Sequence, residues 1–180
     1  MMCIKESMVL SMMGIFLWLT GCAGYHAGTT NGLPAGSRSV RVEFFDNETL
    51  EPRLVVAVNR ALKRNLQNDG TYTLETQGAA DIVVSGQLTK FLRNGLSYTP
   101  GDSLVVQDYA MQLTARIKVS DETTGQVVYE GEVTGKSTVR VGNDLTASQR
   151  QAIPLIADHL ARQATSFIVD GHWPDEAKAR

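Results

Sequence analysis

Cysteine is nearly absent: the 180 residues hold two, Cys3 and Cys22, so everything beyond residue 22 lacks a thiol for a disulfide or a thiolate metal site. Histidine is almost as scarce. His26 in the tether, His159 with no cysteine or carboxylate at metal-ligand spacing, and His172 beside Trp173 are scattered and do not form a metal site. Asp158 precedes His159, but adjacent residues on a helix point apart and do not make an acid–base pair. Ser85-Gly86 lacks the glycine two residues before the serine that a nucleophile elbow requires, and there is no phosphate loop. No catalytic residue, metal or cofactor is therefore assigned. Charge of one sign is also missing: 17 bases against 19 acids leave −2, interspersed, which gives no reason to expect nucleic acid. Any anionic partner must be met by a local basic cluster. Long apolar runs are lacking too. The stretch from Met8 to Leu19 falls well short of the roughly twenty residues that a spanning helix needs.

That stretch has the length of a signal-peptide core, and Leu19-Thr20-Gly21-Cys22 behind it resembles the lipobox of bacterial lipoproteins. The n-region is weak, since Glu6 offsets Lys5. The resemblance implies cleavage before Cys22 and three acyl chains on that residue. At roughly 0.8 kcal/mol per buried methylene, several chains anchor firmly where one binds reversibly. Residues 1–21 are then a signal peptide and 22–37 a lipidated tether, rich in Gly, Thr and Asn, that reaches about 20 Å as a random coil. Ala23 follows the cysteine in place of the aspartate that retains enterobacterial lipoproteins in the inner membrane, which favours the outer membrane. Residues 38–173 are expected to form one domain and 174–180 a polar tail.

Within that domain the apolar period changes from two to four and back. Val40, Val42 and Phe44 alternate with Arg41 and Glu43 as in a half-buried strand. Asn47-Glu48-Thr49 turns the chain, and Pro52 opens a helix in which Leu54, Val58, Leu62 and Leu66 line one side until Asp69-Gly70 ends it. After a short segment at Tyr72 to Leu74, a strand runs from Ile82 to about Arg93, followed by an irregular loop with Gly95, Pro100 and Gly101. Met111, Leu113, Ala115, Ile117 and Val119 alternate, as do Val127, Tyr129 and Val133, around the turn Asp121-Glu122-Thr123-Thr124-Gly125. Setting Ser120 against Gln126 puts Ile117 opposite Tyr129, Arg116 opposite Glu130 and Lys136 opposite Ala110. Residues 146–169 read as a helix, with Pro154 expected to kink it or split off a leading turn. The fold class is α+β: two helices on one face of a mixed, mainly antiparallel sheet, in strand-helix-strands-helix order.

The order and spacing of several segments then resemble the LptE family. They are Cys22-Ala23-Gly24-Tyr25-His26, the run Val42 to Thr49 with Pro52 and Leu54, Ala80 to Gly86, the Asp121 to Gly125 turn, and Trp173 beyond the last helix. The resemblance implies a non-enzymatic outer-membrane lipoprotein that plugs and helps assemble an LptD-like β-barrel and binds lipopolysaccharide on its way to the outer leaflet. Two other classes share the opening strand, turn and helix: regulators of a cell-wall synthase or secretion-pore components, as in the LpoB and CsgG families, and auxiliary lipoproteins of lipid-transporting ABC systems.

Lipid phosphates need Lys or Arg free of internal carboxylates. If the strand ending at Arg93 is antiparallel to its successor, Arg93, Lys136 and Arg140 collect at one sheet end as the phosphate-facing group, with Lys90 a lesser candidate on the opposite side from Arg93. Against that, strand-face charges are usually only solvated, and Asp108 lies diagonal to Lys136. The basic side of the first helix, Arg60, Lys63 and Arg64, is a weaker alternative. The segment 94–108, with Leu96, Tyr98 and Leu104 to Val106, either contacts a partner or begins the next strand as core, and Phe167 and Trp173 read as core or barrel interface.

Overall fold

The computed structural model describes residues 35–99, 102–141 and 145–170. Cys22, most of the tether, His26, His172, Trp173 and the polar tail lie outside the described residues. The elements are β1 (Ser39–Val42), β2 (Asp46–Asn47), α1 (Arg53–Asp69), β3 (Thr73–Leu74), β4 (Ile82–Thr99), β5 (Asp102–Asp121), β6 (Gln126–Arg140) and α2 (Leu145–Asp170). The sheet order is β3-β1-β4-β5-β6, with β2 beside β4. The β1–β3, β1–β4 and β2–β4 pairs are parallel, while β4–β5 and β5–β6 are long antiparallel ladders. The mixed sheet with two helices on one face is the expected architecture.

Both helices form because their apolar positions recur at helical spacing. Leu54, Val58, Leu62 and Leu66 of α1 are buried, and so are Ile153, Ile156, Leu160 and Ala164 of α2. They meet Val40, Val84, Leu88, Met111, Leu113, Ala115 and Val119 in one core. Gly70 ends α1 in the left-handed region, φ 76°, returning its N–H to the Leu66 carbonyl at 3.2 Å. The helix α2 is continuous through Pro154, so no leading turn is split off.

Close contact between α2 and β6 depends on glycine. A Cβ at Gly135 would stand 2.5 Å from the Ile156 carbonyl oxygen and 2.8 Å from Leu160 Cβ. Gly86 does the same for the buried Phe45 ring, which would lie 2.6 Å from an added Cβ.

Three local expectations are corrected. First, β1 ends at Val42, so the alternation stops there; Phe45 is buried, while Phe44 is 72% exposed. Second, Asp121 itself pairs with Gln126, and Val128 is an extra residue between the pairs Ser120–Val127 and Val119–Tyr129. Lys118 therefore faces Glu130, Arg116 faces Glu132, Ile117 faces Gly131 and Lys136 faces Gln112. The shift of two keeps Tyr129 and Val133 on the core side but leaves Val127 half exposed. Third, residues 94–98 are strand, since β4 continues to Thr99 and pairs with β5 through several register shifts. Leu96 and Tyr98 are nonetheless more than half exposed on that arm.

Candidate functional site

Helices cover one face of the sheet and leave the other open. On the open face, cross-strand partners form polar rows: Ser85–Lys118–Glu130, Gln87–Arg116–Glu132, Lys90–Thr114–Thr134, Leu92–Gln112–Lys136 and Ser97–Asp108–Arg140. Every one of these residues is at least partly exposed, whereas the intervening rows hold Leu88–Ala115–Val133 and Leu113–Gly135 against the helices.

The β-bulge at Thr89 decides which cation reaches this face. Leu88 pairs with Ala115 and Lys90 with Thr114, so Thr89 has no cross-strand partner and its hydroxyl donates to the Thr114 carbonyl at 3.3 Å. Strict alternation from the buried Leu88 would turn Lys90 inward and Arg93 outward. With the bulge, Lys90 stands on the open face and Arg93 on the helix side.

The expected group of Arg93, Lys136 and Arg140 is therefore divided between faces. Arg93 pairs across the strands with Met111, donates to Gln149 Oε1 of α2 at 2.6 Å, and stacks over Phe91 at 5.9 Å. Gln149 continues to Glu51 Oε2 at 2.8 Å, so Arg93 ties the sheet to the starts of both helices. Arg140 shares the open face with Lys136 but bonds Asp108, its direct cross-strand partner, at 3.0 Å. Ser97 donates to the same carboxylate at 2.5 Å. Arg140 and Ser97 together hold the Asp108 carboxyl below its ordinary range, and Asp108 in turn raises the Arg140 guanidinium.

Lys90 and Lys136 are the two expected cations that keep their charge available. Both are exposed, and among the described residues neither has a carboxylate within ion-pair distance. They sit two strands and two residues apart, about 12 Å by ordinary strand spacings, with Thr114, Gln112 and Thr134 between them. That arrangement offers two cations and a floor of hydroxyl and amide groups to a polyanionic, hydroxylated ligand. Arg116 is a poorer candidate because it meets Glu132 at 3.8 Å, a solvent-exposed pair contributing about 0–1 kcal/mol.

The opposite end of the sheet is stapled. Arg38 donates to Asp121 at 2.7 Å, and Asp121 also accepts from the Thr123 and Thr124 N–H groups and the Thr123 hydroxyl, closing the hairpin turn. The Thr123 hydroxyl first, then Arg38, bring the Asp121 carboxyl down to about 2. Asp81 is lowered by the Ser39 N–H and hydroxyl.

His159 and Asp158 act apart: His159 Nδ1 accepts the Lys136 backbone N–H at 3.2 Å, while Asp158 pairs with Arg64 at 2.7 Å and with Arg162. Phe167 packs against the core and stacks on Tyr129, ring centroids 5.6 Å apart. Sequence periodicity missed the Asp108–Arg140 pair because it placed Asp108 diagonally. It named the basic side of α1, Arg60, Lys63 and Arg64, but missed that Phe44 walls a groove beside them, for which the signal was the Phe44-Phe45 doublet at the strand end.

Among the described residues no helix is long and apolar enough to cross a membrane. No curated protein sequence matches the chain. Similar solved structures include the hypothetical protein CT253 from Chlamydia trachomatis, 12% identical, covering 75% of this chain and 96% of that one with a TM-score of 0.53. Protein XCC0632 from Xanthomonas campestris is also 12% identical and covers 77% and 87%, with a TM-score of 0.54. At these identities the likeness concerns the fold. Residues 37–168 match the family described as lipopolysaccharide-assembly, LptE, which takes in nearly all of the described domain. The chain belongs to this LptE family of non-enzymatic lipoproteins.

Proposed function

We propose that the protein is an outer-membrane lipoprotein anchored through Cys22, acting without catalysis as plug and assembly partner of an LptD-like β-barrel and binding lipopolysaccharide during delivery to the outer leaflet. The family match over residues 37–168 carries this reading. The open sheet face supplies its physical basis. Barrel lumens of this kind are polar, and a domain seated in one needs a hydrated surface such as the Ser, Thr, Gln and Lys rows of β4 to β6. Lys90 and Lys136 are the residues we assign to lipid phosphates, with Arg140 available when a ligand phosphate competes for it against Asp108. Arg93 is released from the assignment because its guanidinium is committed to Gln149 on the helix side.

The domain limits belong to the same proposal: signal peptide 1–21, tether 22–37, domain 38–173 and tail 174–180. The test is to solubilise outer membranes, recover the lipidated protein and identify what copurifies. A stoichiometric large β-barrel is the expected result. A cell-wall synthase, a secretion pore or an inner-membrane transporter in its place would overturn the reading in favour of the corresponding lipoprotein class.

A further inference from the structure

The exposed side of α1 is cationic. Its residues include Arg53, Arg60, Lys63 and Arg64, and its single acid is Asp69 at the C-terminal end. Arg64 is matched by Asp158, but among the described residues Arg60 and Lys63 have no carboxylate within ion-pair distance. Beside them lie two exposed apolar side chains, Phe44 and Val56, 72% and 55% accessible, and the Lys63 ammonium sits 5.6 Å from the centre of the Phe44 ring. These residues wall a groove of about 420 Å³.

Asn59 lines the same groove and is 4% exposed. Its Nδ2 donates to the Val55 carbonyl at 3.0 Å, which fixes the amide's orientation and leaves Oδ1 as the acceptor. That oxygen is buried with no hydrogen-bond partner. Leaving a buried acceptor unmatched is destabilising, and a leucine at this position would avoid that penalty. The groove thus combines two available cations, an apolar wall and an orphan acceptor that wants an O–H donor.

We propose that this groove binds the headgroup of an anionic glycerophospholipid carrying a free hydroxyl. The phosphodiester lies against Arg60 and Lys63, the glycerol and first acyl carbons pack on Phe44 and Val56, and a headgroup hydroxyl donates to Asn59 Oδ1. Because Oδ1 is covered, the flexible side chains lining the groove must part as the headgroup enters. A peptide fits less well: its carbonyl acceptors would compete with the anion for Arg60 and Lys63, with the Gln67 amide the one neutral side-chain donor left among the lining residues. The site lies on the helix layer, away from the open sheet face, so both surfaces can be occupied at once. It does not depend on the lipopolysaccharide reading.

The full lipidated protein in neutral detergent micelles would be titrated with dioctanoyl phosphatidylglycerol, phosphatidylmethanol, phosphatidylcholine, inorganic phosphate and an acidic peptide, with adducts counted by native mass spectrometry. The expected result is one phosphatidylglycerol per chain, with phosphatidylmethanol weaker because it lacks the hydroxyl, and the other probes weaker still. Arg60→Glu with Lys63→Glu should weaken phosphatidylglycerol about tenfold or more and leave lipopolysaccharide binding unchanged. Asn59→Leu should retain or raise thermal stability while erasing the preference for phosphatidylglycerol over phosphatidylmethanol. Equal binding of phosphatidylcholine or phosphate, tighter binding of the acidic peptide, or loss of lipopolysaccharide in the charge-reversed variant would each overturn the proposal.

Discussion

Replacing Gly135 with alanine tests the packing of α2 on the sheet with one methyl group. The new Cβ would sit 2.5 Å from the Ile156 carbonyl oxygen, nearly an ångström short of the 3.4 Å where ordinary contact begins, and 2.8 Å from Leu160 Cβ. The nearest obstacle is helix backbone, so no rotamer change relieves it, and α2 must retreat along a stretch where Ile156 and Leu160 are almost wholly buried. Overpacking of this kind costs about 1–3 kcal/mol. Gly135 has no positive φ, so alanine adopts its backbone conformation without strain and recovers about 0.4–1 kcal/mol through the unfolded chain. The net expectation is a loss of about 1–2 kcal/mol, or roughly 4–8 °C in melting temperature for a domain of this size. Gly131→Ala is the comparison, because there the added atom meets the end of the Tyr129 ring, a side chain that can tilt against Phe167, and its cost should be smaller. Urea denaturation of both variants with the parent would measure this. Gly135→Ala within about 0.5 kcal/mol of the parent, with an unchanged spectrum, would refute the close-contact account.

Other predictions follow from the charges and the anchor. Asp121 has its carboxyl lowered from 3.8 to about 2 by Thr123 and Arg38, so the folded state binds its proton less readily than the unfolded chain. The resulting stability is present above the unfolded value and is lost as pH falls through about 2. Asp121→Asn should cost about 1–2 kcal/mol at neutral pH and flatten the decline of stability between pH 4 and 2, read from acid titrations followed by circular dichroism. Lys90→Glu with Lys136→Glu should weaken lipopolysaccharide binding about tenfold or more with a native spectrum, whereas Arg93→Gln should leave affinity within about twofold and loosen the Gln149 contact; the opposite pattern would return the site to the helix side. Cys22→Ala should abolish membrane pelleting, and salt-resistant pelleting of that variant would sink the anchor assignment.

The fold was legible where periodicity and burial agree. The four-residue recurrence from Leu54 to Leu66, the alternation from Met111 to Val119 and the glycine after Asp69 each name an element that the structure contains. Boundaries failed where a strand outlasts its alternation, as in the exposed arm beyond Arg93, where pairing is sustained by backbone and no buried face imposes a pattern. The expected grouping of the cations was divided for a more specific reason. Face assignment along a strand is a parity argument, and a single unpaired residue inverts it for everything downstream. Thr89 gives no such warning, being an ordinary strand residue, yet its bulge exchanges the faces of Lys90 and Arg93. A second unpaired residue, Val128, adds one step to the one made at the turn, where Asp121 takes the place of Ser120 opposite Gln126; together they move Lys136 from Ala110 to Gln112 and bring Asp108 directly opposite Arg140. Of the four cations chosen from sequence, Lys90, Lys136 and Arg140 share the open face, and Arg93 stands on the other. Which of them remain free for a ligand depended on two bulges, and the same bulges make the open face what it is: with Thr89 in register, Phe91 would point to solvent and Lys90 into the core beneath the helices. The side on which Lys90 stands thus follows from the packing of Phe91 opposite Leu113 against the core.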